Sequence, residues 1–292
     1  MSIDIWGASS IVLKFGAYLG VMAVFSNLFI TLFRRKLLIR ADLKHSFLML
    51  IIGLTSTVIY FFVQVGSFTQ TGLAGMFNPD IMQMLLTTGN GDVLVYRTVG
   101  LSVVILSLAL PYNRFEKLKL PGSLLLLLGA ILCIFSFTAI GHVAELAWYW
   151  KVALFVHVWV AFAWIGSLRP LAKAVALSDK KDTATLLESY STFGLILVSL
   201  LVIAGAGLVY ILMIAPEQTI STEYLTTIIV KLTLVSMMLG FAAYHKVILG
   251  HKLKRGLASQ QEAARSIIIE KAIGYIVLAV TAILTTTIGI NH

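Results

Sequence analysis

Long apolar runs separated by short polar breaks make up almost the whole chain. Eight of them lie near 11–33, 46–66, 93–112, 120–140, 150–172, 191–214, 224–245 and 267–289. A hydrocarbon core of ~30 Å is crossed by about 20 apolar residues in a helix. Backbone amides find no water in lipid, so each run must close its own hydrogen bonds as a helix. The pattern predicts an all-α polytopic bundle of about eight transmembrane helices, a single integral membrane domain over 1–292. The weakest break is GHVAELAWYW, where Gly141, His142 and Glu145 form a short turn and Trp148, Tyr149 and Trp150 an interfacial belt. It divides the chain into four helices over 1–140 and four over 141–292.

Composition agrees with lipid as the solvent. The chain is 59% hydrophobic and 12% charged, with mean hydropathy +0.95, whereas soluble domains carry roughly 25% charged residues. The net charge of +9 is divided among short loops, so it reads as a topology signal and not as a nucleic-acid surface. Arg34, Arg35, Lys36, Arg40 and Lys44 follow the first run; Arg114, Lys117 and Lys119 the third. Arg169, Lys173, Lys180 and Lys181 follow the fifth, and Lys246, Lys252, Lys254, Arg255, Arg265 and Lys271 the seventh. The alternate loops, 67–92, 141–150 and 215–223, contain no Lys or Arg, whereas Asp4, Asp80, Asp92, Glu145, Glu217 and Glu223 lie on their side. The positive-inside rule then puts both termini outside the cytoplasm. Met1 to Trp6 has no basic stretch, and the first run is too long for a signal-peptide core, so it is expected to be a retained span. Cys133 is the single cysteine, which excludes an intrachain disulfide.

The remaining four basic residues are Lys14, Arg97, Lys151 and Lys231, in the outer parts of the first, third, fifth and seventh helices. That regularity suggests two parallel four-helix repeats about an axis along the membrane normal. Arg97 and Lys231 are each followed five residues later by a serine, Ser102 and Ser236, and then by Tyr112-Asn113-Arg114 and Tyr244-His245-Lys246.

Several side chains are suited to metal chemistry, each with a plainer alternative. His157 lies roughly 10 Å below the outer surface, on one face with Trp150 and Trp164. It is either a ligand or a histidine tied to a neighbouring carbonyl. His142 and Glu145, three apart, suit a borderline metal such as Cu(II), or belong to a solvated turn. Met76, Met82 and Met84 offer soft thioethers that select Cu(I), or fill gaps in an amphipathic segment. Lys231, Met238 and His245 descend one face of the seventh helix at intervals of seven. Glu270 opens the eighth, as a helix-end charge or as a partner for an inner lysine. Phosphate-binding glycine loops, HExxH, CxxC and CxxCH are absent, which leaves ATP-driven transport by this chain alone, thiolate relay and c-type haem attachment without support.

The segment GHVAELAWYWKVALFVHVWVAFAWIGSLRPL resembles the signature of the copper resistance protein D family: Gly-His closing one helix, then His157, Trp164 and Gly166 in that order on the next. Tyr190-Ser191-Thr192-Phe193 with Ala204-Gly205 is similar in part to two further motifs. YLTTIIVKLTLVSMMLGFAAYHK resembles a helix whose leucine-rich run reaches a lysine and then an asparagine–arginine pair, here His245-Lys246. Glu270 matches an acidic residue before the last helix. The likeness covers roughly 140–290, and the first half only in topology.

The resemblance implies a bacterial inner-membrane protein with a periplasmic copper-binding partner that moves copper toward the cytoplasm; the termini, placed outside by the loop charges, are then expected to be periplasmic, and no enzymatic activity is expected. His142, His157, Trp164, Lys231 and Glu270 become its key positions. On this reading copper (Cu+ or Cu2+) is received at Met76, Met82 and Met84 or at His142 with Glu145, reaches His157, and leaves through Met238 and His245. Arg97, Lys151 and Lys231 put positive charge at the same depth. Either they pair with Asp92, Glu145 and Glu223, or the site holds something anionic. The second case describes a haem b- or quinone-binding electron carrier, with His142 and His157 as haem ligands. A membrane receptor for a periplasmic copper chaperone is the third alternative. The oligomeric state stays open.

Overall fold

The computed structural model describes residues 4–33, 40–109, 119–178, 180–214 and 222–288, and among them there is helix and no strand. The helices are α1 (Ile5–Phe33), α2 (Arg40–Thr69), α3 (Pro79–Leu86), α4 (Gly89–Ala109), α5 (Lys119–Phe135), α6 (Trp148–Leu177), α7 (Lys180–Val209), α8 (Thr222–Tyr244) and α9 (Gln260–Ile283). Seven are long and apolar enough to span a membrane, and Gly122–Phe135 of α5 is a shorter apolar helix. The protein is an all-α, multi-pass membrane bundle. Arg34, Arg35, Lys36, Arg114, Lys117, Glu217, Met1 and His292, on which the topology expectation drew, lie outside the described residues.

Helix lengths differ from the apolar runs in an instructive way. α6 has 30 residues, about 45 Å at the usual rise, well beyond a ~30 Å core. The extra turns continue past the hydrocarbon, where lysine and arginine are tolerated, so the basic stretch expected as a loop after the fifth run is largely helical. α6 closes at Ser178 and α7 opens at Lys180. α8 likewise runs on through a π-helical turn, His245–Leu249, and Gly250–Lys254. The end of the bundle holding these junctions, with those of α1–α2 and α4–α5, is called the basic end here; the opposite end carries α3 and the turn at His142–Glu145.

α1 and α6 are the central helices. Val21 through Asn27 are buried consecutively, as are Trp164 through Leu168, and a helix buried on every side lies inside a bundle. Gly166 permits the two to approach: a Cβ there would lie 2.7 Å from the Met22 carbonyl oxygen and 3.1 Å from the Ser26 nitrogen. α1 and α2 meet at Gly20 and Gly53 in the same manner, and α4 and α5 at Gly100 and Gly129. Neighbour relations repeat between the halves. α1 packs on α2 and α4 on α5; α6 packs on α7 and α8 on α9; α1 touches α5 as α6 touches α9. The match fails at one pair. α2 lies along α4, whereas α7 meets α8 chiefly at the basic end, against His245–Leu249 and Gly250–Lys254.

Candidate functional site

A connected set of polar contacts among apolar side chains lies where α6, α7, α8 and α9 converge near the basic end. Glu270 sits nearly three turns into α9, not at its start as the apolar run suggested, and is 2% exposed. A carboxylate so buried is stable only with partners, and it has two. The indole Nε1–H of Trp164 on α6 donates to Oε1 at 2.7 Å. Nδ1 of His245 on α8 stands 3.3 Å from Oε2. The other ring nitrogen, Nε2, is 2.8 Å from Ser266 Oγ, one turn before Glu270 on α9. If Nδ1 carries the proton toward the carboxylate, Nε2 accepts from the serine, and every polar atom of the pair is satisfied.

A second layer holds the indole in place. Tyr190 of α7 donates to Ser167 Oγ at 2.7 Å, and Ser167 donates to the Trp164 carbonyl, also at 2.7 Å. Tyr190 also lies within electrostatic reach of Glu270. Toward the other end of the bundle, Met238 is 2% exposed and packs beside Gly274, one turn beyond Glu270. Thioether, carboxylate and imidazole thus follow one another down the α8–α9 interface. Together they offer a soft donor, a hard one and a borderline one.

Of the residues singled out in the sequence, Trp164, His245 and Glu270 are in contact, with Met238 alongside. Ser167 and Ser266 were missed. Their signal was a spacing of three from Trp164 and four from Glu270, which places each on the same helix face. The others do not converge there. His157 turns to α7, with Nδ1 3.3 Å from the Leu201 carbonyl oxygen and its ring against Gly205. His142 and Glu145 are exposed in a 3-10 turn. Met76 lies by Gly66, Met82 packs against the Phe61–Val65–Leu85 cluster, and Met84 is 44% exposed. Among the described residues no three of His, Cys, Asp and Glu are grouped to hold a metal ion.

The basic residues of the outer half are arranged differently from the expected ion pairs. Arg97, 6% exposed, does not pair with Asp92. Its Nε and one Nη donate to Ser136 Oγ at 3.1 and 3.0 Å, and its Cζ lies 4.6 Å from the Phe137 ring centroid. Lys231 makes no hydrogen bond or ion pair among the described residues, Glu223 included, and lies within electrostatic reach of His157. Lys151 likewise has no ion pair with Glu145 there.

Comparison with known proteins places these helices in a context. Residues 184–284 match the family model Copper resistance protein D, and residues 3–147 match Copper resistance protein D-like, N-terminal domain. No curated protein and no solved structure matches the chain.

Proposed function

Since this chain belongs to the copper resistance protein D family, with the role in copper resistance that this carries, we propose that it conducts copper through the membrane toward the basic end, the cytoplasmic side. The Glu270 site is its last stop. The supporting observation is the buried Glu270 carboxylate, held by Trp164 and faced by His245. A carboxylate in an apolar bundle attracts any cation that reaches it, because few other charges there compete. Copper, the substrate, meets Met238 first and then the Glu270–His245 pair. Two or three donors in sequence bind weakly, and conduction needs sites that fill and empty. The rigid Trp164 contact keeps one oxygen fixed while the other is free to change partner. A periplasmic copper-binding protein would deliver the ion at the end carrying α3 and the His142–Glu145 turn.

The test is copper accumulation in cells expressing Glu270→Gln at wild-type membrane levels. The variant keeps the shape and the Trp164 bond but removes the charge, and accumulation is expected to fall about tenfold or more, the scale of losing one strong ionic ligand contact. Wild-type accumulation in Glu270→Gln would overturn the reading.

A further inference from the structure

We propose that α1, α2, α4 and α5, together with the turn at Thr285 that follows α9, hold a binding site for an oxyanion, a carboxylate or phosphate group, centred on Arg97 and Lys14. It is separate from the proposed copper route.

The cluster is rich in donors and poor in acceptors. A guanidinium has five N–H groups. Two of Arg97's go to the single oxygen of Ser136, whose own proton is donated to the Cys133 carbonyl at 2.6 Å. Three N–H groups of a side chain 6% exposed therefore have no acceptor among the described residues. Lys14 donates to the Thr285 carbonyl at 2.6 Å and reaches Thr285 Oγ1 at 3.4 Å, leaving a third N–H unspent. Its Nζ lies 5.6 Å from the Tyr60 ring centroid, and the Tyr60 hydroxyl has no hydrogen bond among the described residues.

The charges point the same way. Arg97 and Lys14 are close enough to repel each other, and Tyr60 is within electrostatic reach of Arg97. Neither cation has a carboxylate partner among the described residues. Two like charges held together in an apolar bundle are stabilised by a ligand that is negative and only accepts hydrogen bonds. Carboxylate and phosphate oxygens are such acceptors, and the planar fork of arginine matches both. The group could belong to a soluble anion entering from the non-basic end or to the head of an anionic lipid, since both present the same oxygens.

The experiment uses the full chain in nanodiscs of zwitterionic lipid. Inorganic phosphate is titrated at constant ionic strength while the thermal midpoint is followed, and a parallel series replaces part of the lipid with phosphatidylglycerol. A saturable rise of the midpoint is expected in one series, and which one identifies the source. Arg97→Gln is expected to abolish the rise, and Arg97→Lys, which keeps the charge and loses the fork, to weaken it. Tyr60→Phe, which changes no charge, is expected to weaken binding about three- to tenfold, the scale of one hydrogen bond. If Arg97→Gln fails to insert, Lys14→Gln and Tyr60→Phe carry the same test. A wild-type midpoint that moves in neither series, or a rise that persists unchanged in these variants, would overturn the site.

Discussion

Trp164 and Glu270 are 106 positions apart in the chain, yet the indole N–H of one donates to the carboxylate of the other at 2.7 Å, both almost wholly buried. The bond ties central helix α6 to α9. Around it the Tyr190–Ser167 pair braces one side and His245 with Ser266 the other.

That geometry predicts a measurable coupling. Trp164→Phe keeps most of the packing and removes the donor, so it is expected to destabilise the protein by about 1–3 kcal/mol, the range for a buried bond to a carboxyl group. Unfolding in detergent of Trp164→Phe, Glu270→Gln and the double variant measures the pairwise term. Strictly additive losses would show that the two side chains merely sit side by side.

His245 stands where the resembling family pattern has an asparagine. An asparagine amide is also able to donate to the Glu270 carboxylate, so His245→Asn is expected to insert normally and to keep copper accumulation within about threefold of wild type, less than one net hydrogen bond. A severe loss would mean that this protein relies on the imidazole as its own exit ligand. His245→Ala, which leaves Oε2 facing nothing, is expected to cost more in stability than His245→Asn.

For His157 the contact with the Leu201 carbonyl gives the plainer alternative a definite partner. It also gives the functional one a mechanism. An Nδ1–H donated to a carbonyl leaves the Nε2 lone pair available for an ion. Expression of His157→Ala is expected to give an inserted protein with lowered copper accumulation. Unchanged accumulation at normal expression would assign His157 to holding α6 against α7.

Orientation is tested independently of copper. Reporter fusions at positions 76 and 220 are expected to read as external, and fusions at 115 and 256 as cytoplasmic. The reverse pattern would invert the bundle and overturn the proposed direction of copper movement.

Much of this was available from the amino-acid order alone. Apolar runs of bilayer length can only be helices, because lipid leaves the backbone no other donor or acceptor. Eight such runs therefore determined an all-α membrane bundle without any knowledge of contacts. The residues quoted from 141 to 171 were enough for the family resemblance. The sequence also brought forward Trp164, His245 and Glu270 singly, as ionisable or hydrogen-bonding side chains in apolar surroundings. Tertiary structure decided which of these candidates meet. Periodicity reports the face of a helix a residue occupies, but not which other helix that face opposes. Glycine contacts such as Gly166 against α1 set that packing, through backbone approach that leaves no hydrophobic pattern. The same limit explains Arg97 and Lys231. Loop charges suggested acidic partners for them, yet the packing of α4 on α5 gives Arg97 the Ser136 hydroxyl instead, and Lys231 lies near His157. A charge's partner depends on distances between helices, and no spacing within one helix encodes those.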